Sequence, residues 1–159
     1  MEPTDPTSGL PFIDEHQVRV VAPAPNTWDA LTTWIARTHL GVSSGFAHLV
    51  DAEPRSVTGT LPQQGSTIPG FAVAESVRGK RLTLVGRHRF SHYALTFSLA
   101  DHPDGTLLIA RSHASFLKMP GALYRGLVIG SGGHRVLVRR MLRDIGRSAE
   151  SRGTARAPV

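Results

Sequence analysis

Two histidines and a tyrosine stand where the local rhythm of the chain calls for apolar residues. In Arg81–Phe90 every second side chain (Leu82, Leu84, Gly86, His88 and Phe90) falls on one face of a strand, while Thr83, Val85, Arg87 and Arg89 take the other. The next segment, Tyr93–Ala100, aligns Tyr93, Leu95, Phe97 and Leu99. Thr106–Phe116 aligns Leu108, Ala110, Ser112, Ala114 and Phe116, which leaves Arg111 and His113 outside. Toward the C-terminus, helical spacing gathers Leu123, Leu127, Gly130, His134, Leu137, Val138, Met141 and Ile145 near one line. Phe71, Val73 and Val77 complete the concave wall, and Trp34 joins it from an early helix. The expected interior is therefore apolar, with His88, Tyr93, Ser112 and His134 as sparse polar groups and Tyr124 and Ser131 at its rim. Mostly apolar walls with a few orienting groups are the composition of a small-molecule pocket.

Neutral imidazole is an acid or base suited to pH 7. One histidine of the His88/His134 pair could take a proton from the carbon beside a carbonyl, while Tyr93 or an arginine donates to the developing enolate oxygen. Against this, a single inward His or Tyr is commonly satisfied by backbone or water. Glu75 is the one acid on the inner parity, and it falls late in its strand. No Ser-His-Asp order, carboxylate pair or phosphate-binding loop assembles from the spacing; Asp29 and Asp51 read as surface.

Other signals are weaker. The run from Leu127 to His134 has the glycines of a dinucleotide turn, but no second strand and acidic partner follow. His88, His92 and His113 show no ligand spacing, so neither metal nor cofactor is expected. Net charge is +6. Residues 1–124 hold 10 basic and 10 acidic side chains, and from Arg125 onward eight arginines face Asp144 and Glu150, so the whole excess sits at the C-terminal end. This arginine face suits solvent, an acidic partner, RNA phosphates or a membrane surface, and an acidic macromolecule docked there would make the chain an interaction module. The helix lacks aromatics for base stacking, which argues against nucleic acid. Arg87, Arg89, Arg111 and His113 would form a second basic patch on the convex side.

These side chains need elements to hold them. Glu15–Ala22 alternates as a strand, ended by Pro23 and Pro25; Asn26 or Thr27 caps a helix over Trp28–Arg37 with an apolar stripe of Trp28, Leu31, Trp34 and Ile35. A second short piece near His39–Val50 follows. Strands are then predicted at Ser56–Leu61, Ile68–Val77, Arg81–Phe90, Tyr93–Ala100 and Thr106–Phe116, with links short enough for antiparallel neighbours and a bulge or edge position at Pro69–Gly70. Gly121–Arg147 reads as one long amphipathic helix with Gly130, Gly132 and Gly133 in its middle, where each costs about 1 kcal/mol relative to Ala. A curved sheet with one apolar face must be covered, and that helix is the element long enough to do it.

The opening strand and Ala22-Pro-Ala-Pro-Asn-Thr-Trp-Asp-Ala-Leu31 resemble the start of START-like (SRPBCC) proteins of the polyketide cyclase/dehydrase type, and the meander and closing helix extend the resemblance over about residues 15–147. It implies an α+β helix-grip fold holding a lipid- or polyketide-like molecule. It also admits cyclase- or dehydratase-like activity through His88, Tyr93 and His134. The superfamily covers carriers, cyclases, stress proteins and ribosome-binding proteins, so fold alone does not choose.

The expected layout is an N-terminal arm over residues 1–12, a single domain over 13–149 and a flexible tail over 150–159. A chain of 159 residues buries enough surface to fold without staples, and there are no cysteines, which removes thiolate chemistry and cysteine-bound clusters. Met1–Pro11 has no basic region of a secretory signal. Apolar runs fall far short of the ~20 residues of a membrane span, so a cytoplasmic protein is expected. Oligomeric state is open, a dimer included.

Overall fold

The structure is a computed structural model and describes residues 4–42, 44–49, 51–89, 91–116 and 132–155. In chain order it has β1 (Phe12–Val20), α1 (Ala24–Thr38), a 3₁₀ turn (His39–Gly41), α2 (Ser44–Leu49), β2 (Thr67–Ile68), β3 (Phe71–Val77), β4 (Arg81–His88), β5 (Ser91–His102), β6 (Gly105–Phe116) and α3 (Gly133–Thr154). The strands form one antiparallel sheet in the order β1-β6-β5-β4-β3-β2. The sheet is curved, and α1 and α3 pack together on its concave face. This is the α+β helix-grip arrangement.

The core explains which part of the helix pattern matters. Val138, Met141, Leu142, Ile145 and Ala149 of α3 are buried against Leu31 and Ile35 of α1 and Val20, Leu82, Phe97 and Leu108 of the sheet. Each large side chain so buried contributes roughly 1.5–3 kcal/mol of transfer free energy. The stripe is turned from the expected one: Leu137, placed inward by the sequence pattern, is 63% exposed. The helix also starts later and ends later. Gly132 has φ +74°, a left-handed conformation that no helix interior accommodates, so α3 begins at Gly133 and continues past Arg147 to Thr154. The glycine cost expected inside the helix at Gly132 and Gly133 therefore does not arise. Glu150 accepts the Val21 amide at 3.0 Å, fixing the end of α3 to the exit of β1. The part of the expected helix before residue 132 lies outside the described residues.

Other boundaries shift for local reasons. Pro23 is extended and stands at the N-cap, and Pro25 sits in the first turn, where a missing N–H costs nothing; α1 thus begins before the expected cap at Asn26 or Thr27. Pro69–Gly70 is not a bulge but the turn between β2 and β3, with Gly70 at φ +82°. Ser56–Leu61 makes one isolated bridge, Thr58 to Thr67, rather than a strand.

Two irregularities change which face a residue takes. In β3 the register slips between Val73 and Glu75, so Ala74 is an extra residue and everything beyond it changes side. Glu75 consequently lies on the convex face beside Thr83 and Arg81, and Val77 is 41% exposed; neither contributes to the concave wall. In β1 the slip falls between Phe12 and Asp14. Phe12 meets His113 edge-on outside, and Ile13 and Asp14 both turn inward.

Gly86 marks the tightest approach in the sheet. A Cβ there would lie 2.0 Å from the Gly70 carbonyl oxygen and 2.7 Å from the Tyr93 ring, its cross-strand partner. Gly146, by contrast, has only Val20 at an ordinary 3.5 Å. Gly86→Ala should therefore destabilise the fold by about 2–4 kcal/mol in urea unfolding, while Gly146→Ala should leave it unchanged or stabilise it by up to about 1 kcal/mol.

Candidate functional site

A cavity of about 500 Å³ lies at one end of the concave face. Its walls come from the end of α1 and the turn after it (Trp34, Thr38, Leu40), from Phe71 of β3, from the β4–β5 hairpin (His88, Ser91, Tyr93, Leu95), from Ser112, Ala114 and Phe116 of β6, and from the first turns of α3 (His134, Leu137, Val138, Met141). The turn after α1 reaches the wall because His39 and Leu40 are both left-handed, at φ 48° and 55°, and swing the chain back over the sheet.

Of the residues expected to face a ligand, Trp34, Phe71, His88, Tyr93, Leu95, Ser112 and His134 line this one cavity. Leu84 and Phe97 do not. Both have no exposed surface and belong to the packed core farther along the sheet, where α1 and α3 leave no room. Phe90, Tyr124, Leu127, Gly130 and Ser131 lie outside the described residues.

The polar groups form two sets. At the hairpin, His88 and Ser91 are the closing pair of β4 and β5, and the Ser91 hydroxyl lies 3.0 Å from His88 Nε2. The His88 ring is also 5.6 Å from Tyr93. Burial lowers the His88 pKa from its ordinary 6.5, so this imidazole is neutral at pH 7. Tyr93 is braced between Phe71, ring to ring at 5.2 Å, and the β2–β3 turn. Its hydroxyl donates to the Gly70 carbonyl at 2.7 Å. To supply a proton to an enolate oxygen, as expected, Tyr93 would have to give up this bond to the backbone.

The second set joins Ser112 and His134, both expected, to Asp14 and His16, which the sequence reading missed. Asp14 Oδ2 lies 3.0 Å from His16 Nε2, and Asp14 Oδ1 lies 3.4 Å from His134 Nε2, whose other neighbour is the Ser112 hydroxyl at 3.3 Å. Asp14 and His16 are about nine-tenths buried, and among the described residues Oδ1 has no hydrogen-bond partner, so its contact with His134 is electrostatic. Serine, histidine and aspartate thus meet, but not as a nucleophilic triad. Ser112 and Asp14 both approach the same nitrogen, whereas a triad needs the base on one ring nitrogen and the carboxylate on the other. With a proton on Nε2 directed at the Ser112 hydroxyl, Nδ1 is the ring nitrogen left to accept one. The only sequence signal that could have disclosed this set is the Asp14/His16 alternation, which continues through Val18 and Val20 on the inner face. Among the described residues no three His, Asp or Glu side chains are arranged to hold a metal ion.

Comparison with known proteins adds the fold. No family model matches the chain, and no curated protein matches it in sequence. Solved structures do match. An uncharacterised protein of Rhizobium leguminosarum is similar at 14% identity, over 87% of this chain and 93% of its own, with a TM-score of 0.57. A protein of Chromobacterium violaceum gives 14%, 88% and 99%, with a TM-score of 0.56. The chain has the helix-grip fold. The same fold likeness extends to StfQ, a di-domain ARO/CYC of the steffimycin biosynthetic pathway, at 11% identity and a TM-score of 0.56, covering 90% of this chain and 52% of that longer one.

The His88 environment has a measurable pH signature. Well above pH 6.5 the ring is neutral whether the chain is folded or not. As pH falls below 6.5 the unfolded chain takes up the proton first, so stability is lost until pH passes the lower folded-state value. An NMR titration of the His88 ring should show a midpoint below 6.5, and the acid-side fall in Tm should be shallower in His88→Gln. A midpoint at or above 6.5 contradicts the placement.

Proposed function

We propose that this chain binds an apolar small molecule, lipid- or polyketide-like, in the cavity between α1, α3 and the sheet. One observation carries the reading: about 500 Å³ of space bounded mainly by apolar side chains, within the range of small-molecule sites. Neutral His88 and the two serines supply orienting hydrogen bonds without demanding a charged ligand. The likeness to a di-domain ARO/CYC is compatible with this reading and supports it through fold alone.

The test is uptake of an apolar dye such as Nile red. Ala114 lies on the cavity wall beside Tyr93, so Ala114→Phe should occupy the space and weaken dye affinity about tenfold or more while Tm holds. Val57, exposed and away from the wall, gives the control: Val57→Ser should bind as the parent does. Absence of uptake by the folded parent, or full uptake by Ala114→Phe, rejects the cavity as a binding site.

A second reading, proton transfer of the cyclase or dehydratase kind, is favoured by Ser112 and His134 on the wall, with Asp14 beside His134. In that reading His134 removes the acidic proton of a bound 1,3-dicarbonyl compound and returns it to another atom, with Asp14 steadying the imidazolium. Solvent deuterium should then enter a bound 1,3-diketone. Exchange should fall about 100-fold or more in His134→Phe, and about tenfold in Asp14→Asn, with affinity nearly intact. Equal exchange in parent and variants leaves binding as the function.

A further inference from the structure

Some arginines face a carboxylate and others do not. Arg19, Arg55, Arg81, Arg87 and Arg111 each sit against a carboxylate, namely Asp104, Asp51, Glu75, Glu53 and Glu15. Of the basic patch expected on the convex side, Arg87 and Arg111 are thus neutralised, while Arg89 and His113 make no ion pair among the described residues. On α3, Arg135, Arg139, Arg140, Arg143 and Arg147 are all exposed, and among the described residues none has a carboxylate within ion-pair distance. At 100° per residue Val136, Arg140, Arg143 and Arg147 form one outward ridge.

That ridge is basic and also apolar. Val136 and Leu137 are 68% and 63% exposed. Leu137 and Arg140, with Asp144, also line the cavity, so the cavity reaches the surface beside them. An open mouth edged by exposed aliphatic side chains and unpaired arginines has the chemistry of an interfacial helix, whose aliphatic residues enter the acyl boundary while arginines meet anionic headgroups. A nucleic acid would match the charge but not Val136 and Leu137, and α3 has no aromatic side chain on which a base could stack.

We propose that α3 docks the mouth of the cavity onto an anionic lipid surface. This deepens the binding reading and rests on it only for the cargo: an apolar molecule would pass between bilayer and cavity without crossing water.

Co-sedimentation of the full chain with vesicles tests it, using phosphatidylcholine alone or mixed with phosphatidylglycerol. The chain should sediment with the mixed vesicles only, less so as salt rises. Arg143→Glu with Arg147→Glu should lower the partition coefficient about tenfold or more. Val136→Ser should weaken the binding that persists at high salt. Neither Arg143, Arg147 nor Val136 lines the cavity, so these variants should keep Nile red uptake and the circular dichroism of the parent. No sedimentation with mixed vesicles, equal sedimentation with phosphatidylcholine alone, or indifference to charge reversal overturns the proposal. So does a double-stranded oligonucleotide that binds α3 more tightly than the mixed vesicles at the same salt. Sedimentation without Nile red uptake would instead reject the cavity reading while the docking surface stands.

Discussion

An antiparallel sheet that is apolar on one face has to be covered, and the two helices here cover it unevenly. α1 and α3 run with the end of one beside the start of the other. Around Leu31, Ile35, Leu142, Ile145 and Ala149 their side chains fill the space above Val20, Leu82, Phe97 and Leu108. Toward the end of α1 and the start of α3 they do not, and the cavity opens between Trp34, Thr38, His134 and Leu137. Packed core and ligand space are thus the two ends of one interface. The same gradient explains why Phe97 is wholly buried while Leu95 and Tyr93, two and four residues nearer the hairpin on the same face, line the cavity.

The polar residues follow that gradient. Burying an unpaired hydroxyl, imidazole or carboxylate in the packed end would cost several kcal/mol. His88, Ser91, Ser112, His134 and the Asp14–His16 pair all lie at the open end, where each has a neighbour to bond or oppose in charge. Asp14 joins this company because it continues the inward parity of His16, Val18 and Val20, paired in register with β6, while the bulge at Ile13 turns Phe12 outward to His113.

How much of this was legible in the sequence depends on the kind of signal. Period-two alternation placed β4, β5 and β6 and the inward direction of His88, Tyr93, Leu95 and Ser112, because those strands pair without slippage. It failed at Glu75 and Val77, because a bulge reverses parity and no residue type announces one in Ala74, and it overlooked Asp14 because the expected strand begins one residue later, at Glu15. The length of α3 was misjudged for a related reason. Helical spacing reads the same on either side of Gly132, and only the left-handed backbone there shows where the helix starts. Leu84 and Phe97 show a further limit: alternation tells which face a side chain takes but not whether the space above that face is filled.

The arrangement also restricts what could occupy the cavity. Its interior offers hydroxyls and imidazoles, with His88 neutral at pH 7 through burial. Asp14, beside His134, already faces two imidazoles, and the charged groups on the wall, Arg140 and Asp144, are both exposed, near Leu137 where the cavity meets the surface. An ion held deep between Tyr93 and Ala114 would lose its hydration with no fixed countercharge in return. A neutral molecule with an apolar body would lose little, and could meet Ser91 and His88 from one wall and Ser112 and His134 from another. An acidic group on such a molecule would be best accommodated at the Arg140 side, in contact with solvent. The geometry thus favours a neutral apolar body inside the cavity, with any charge left at the mouth.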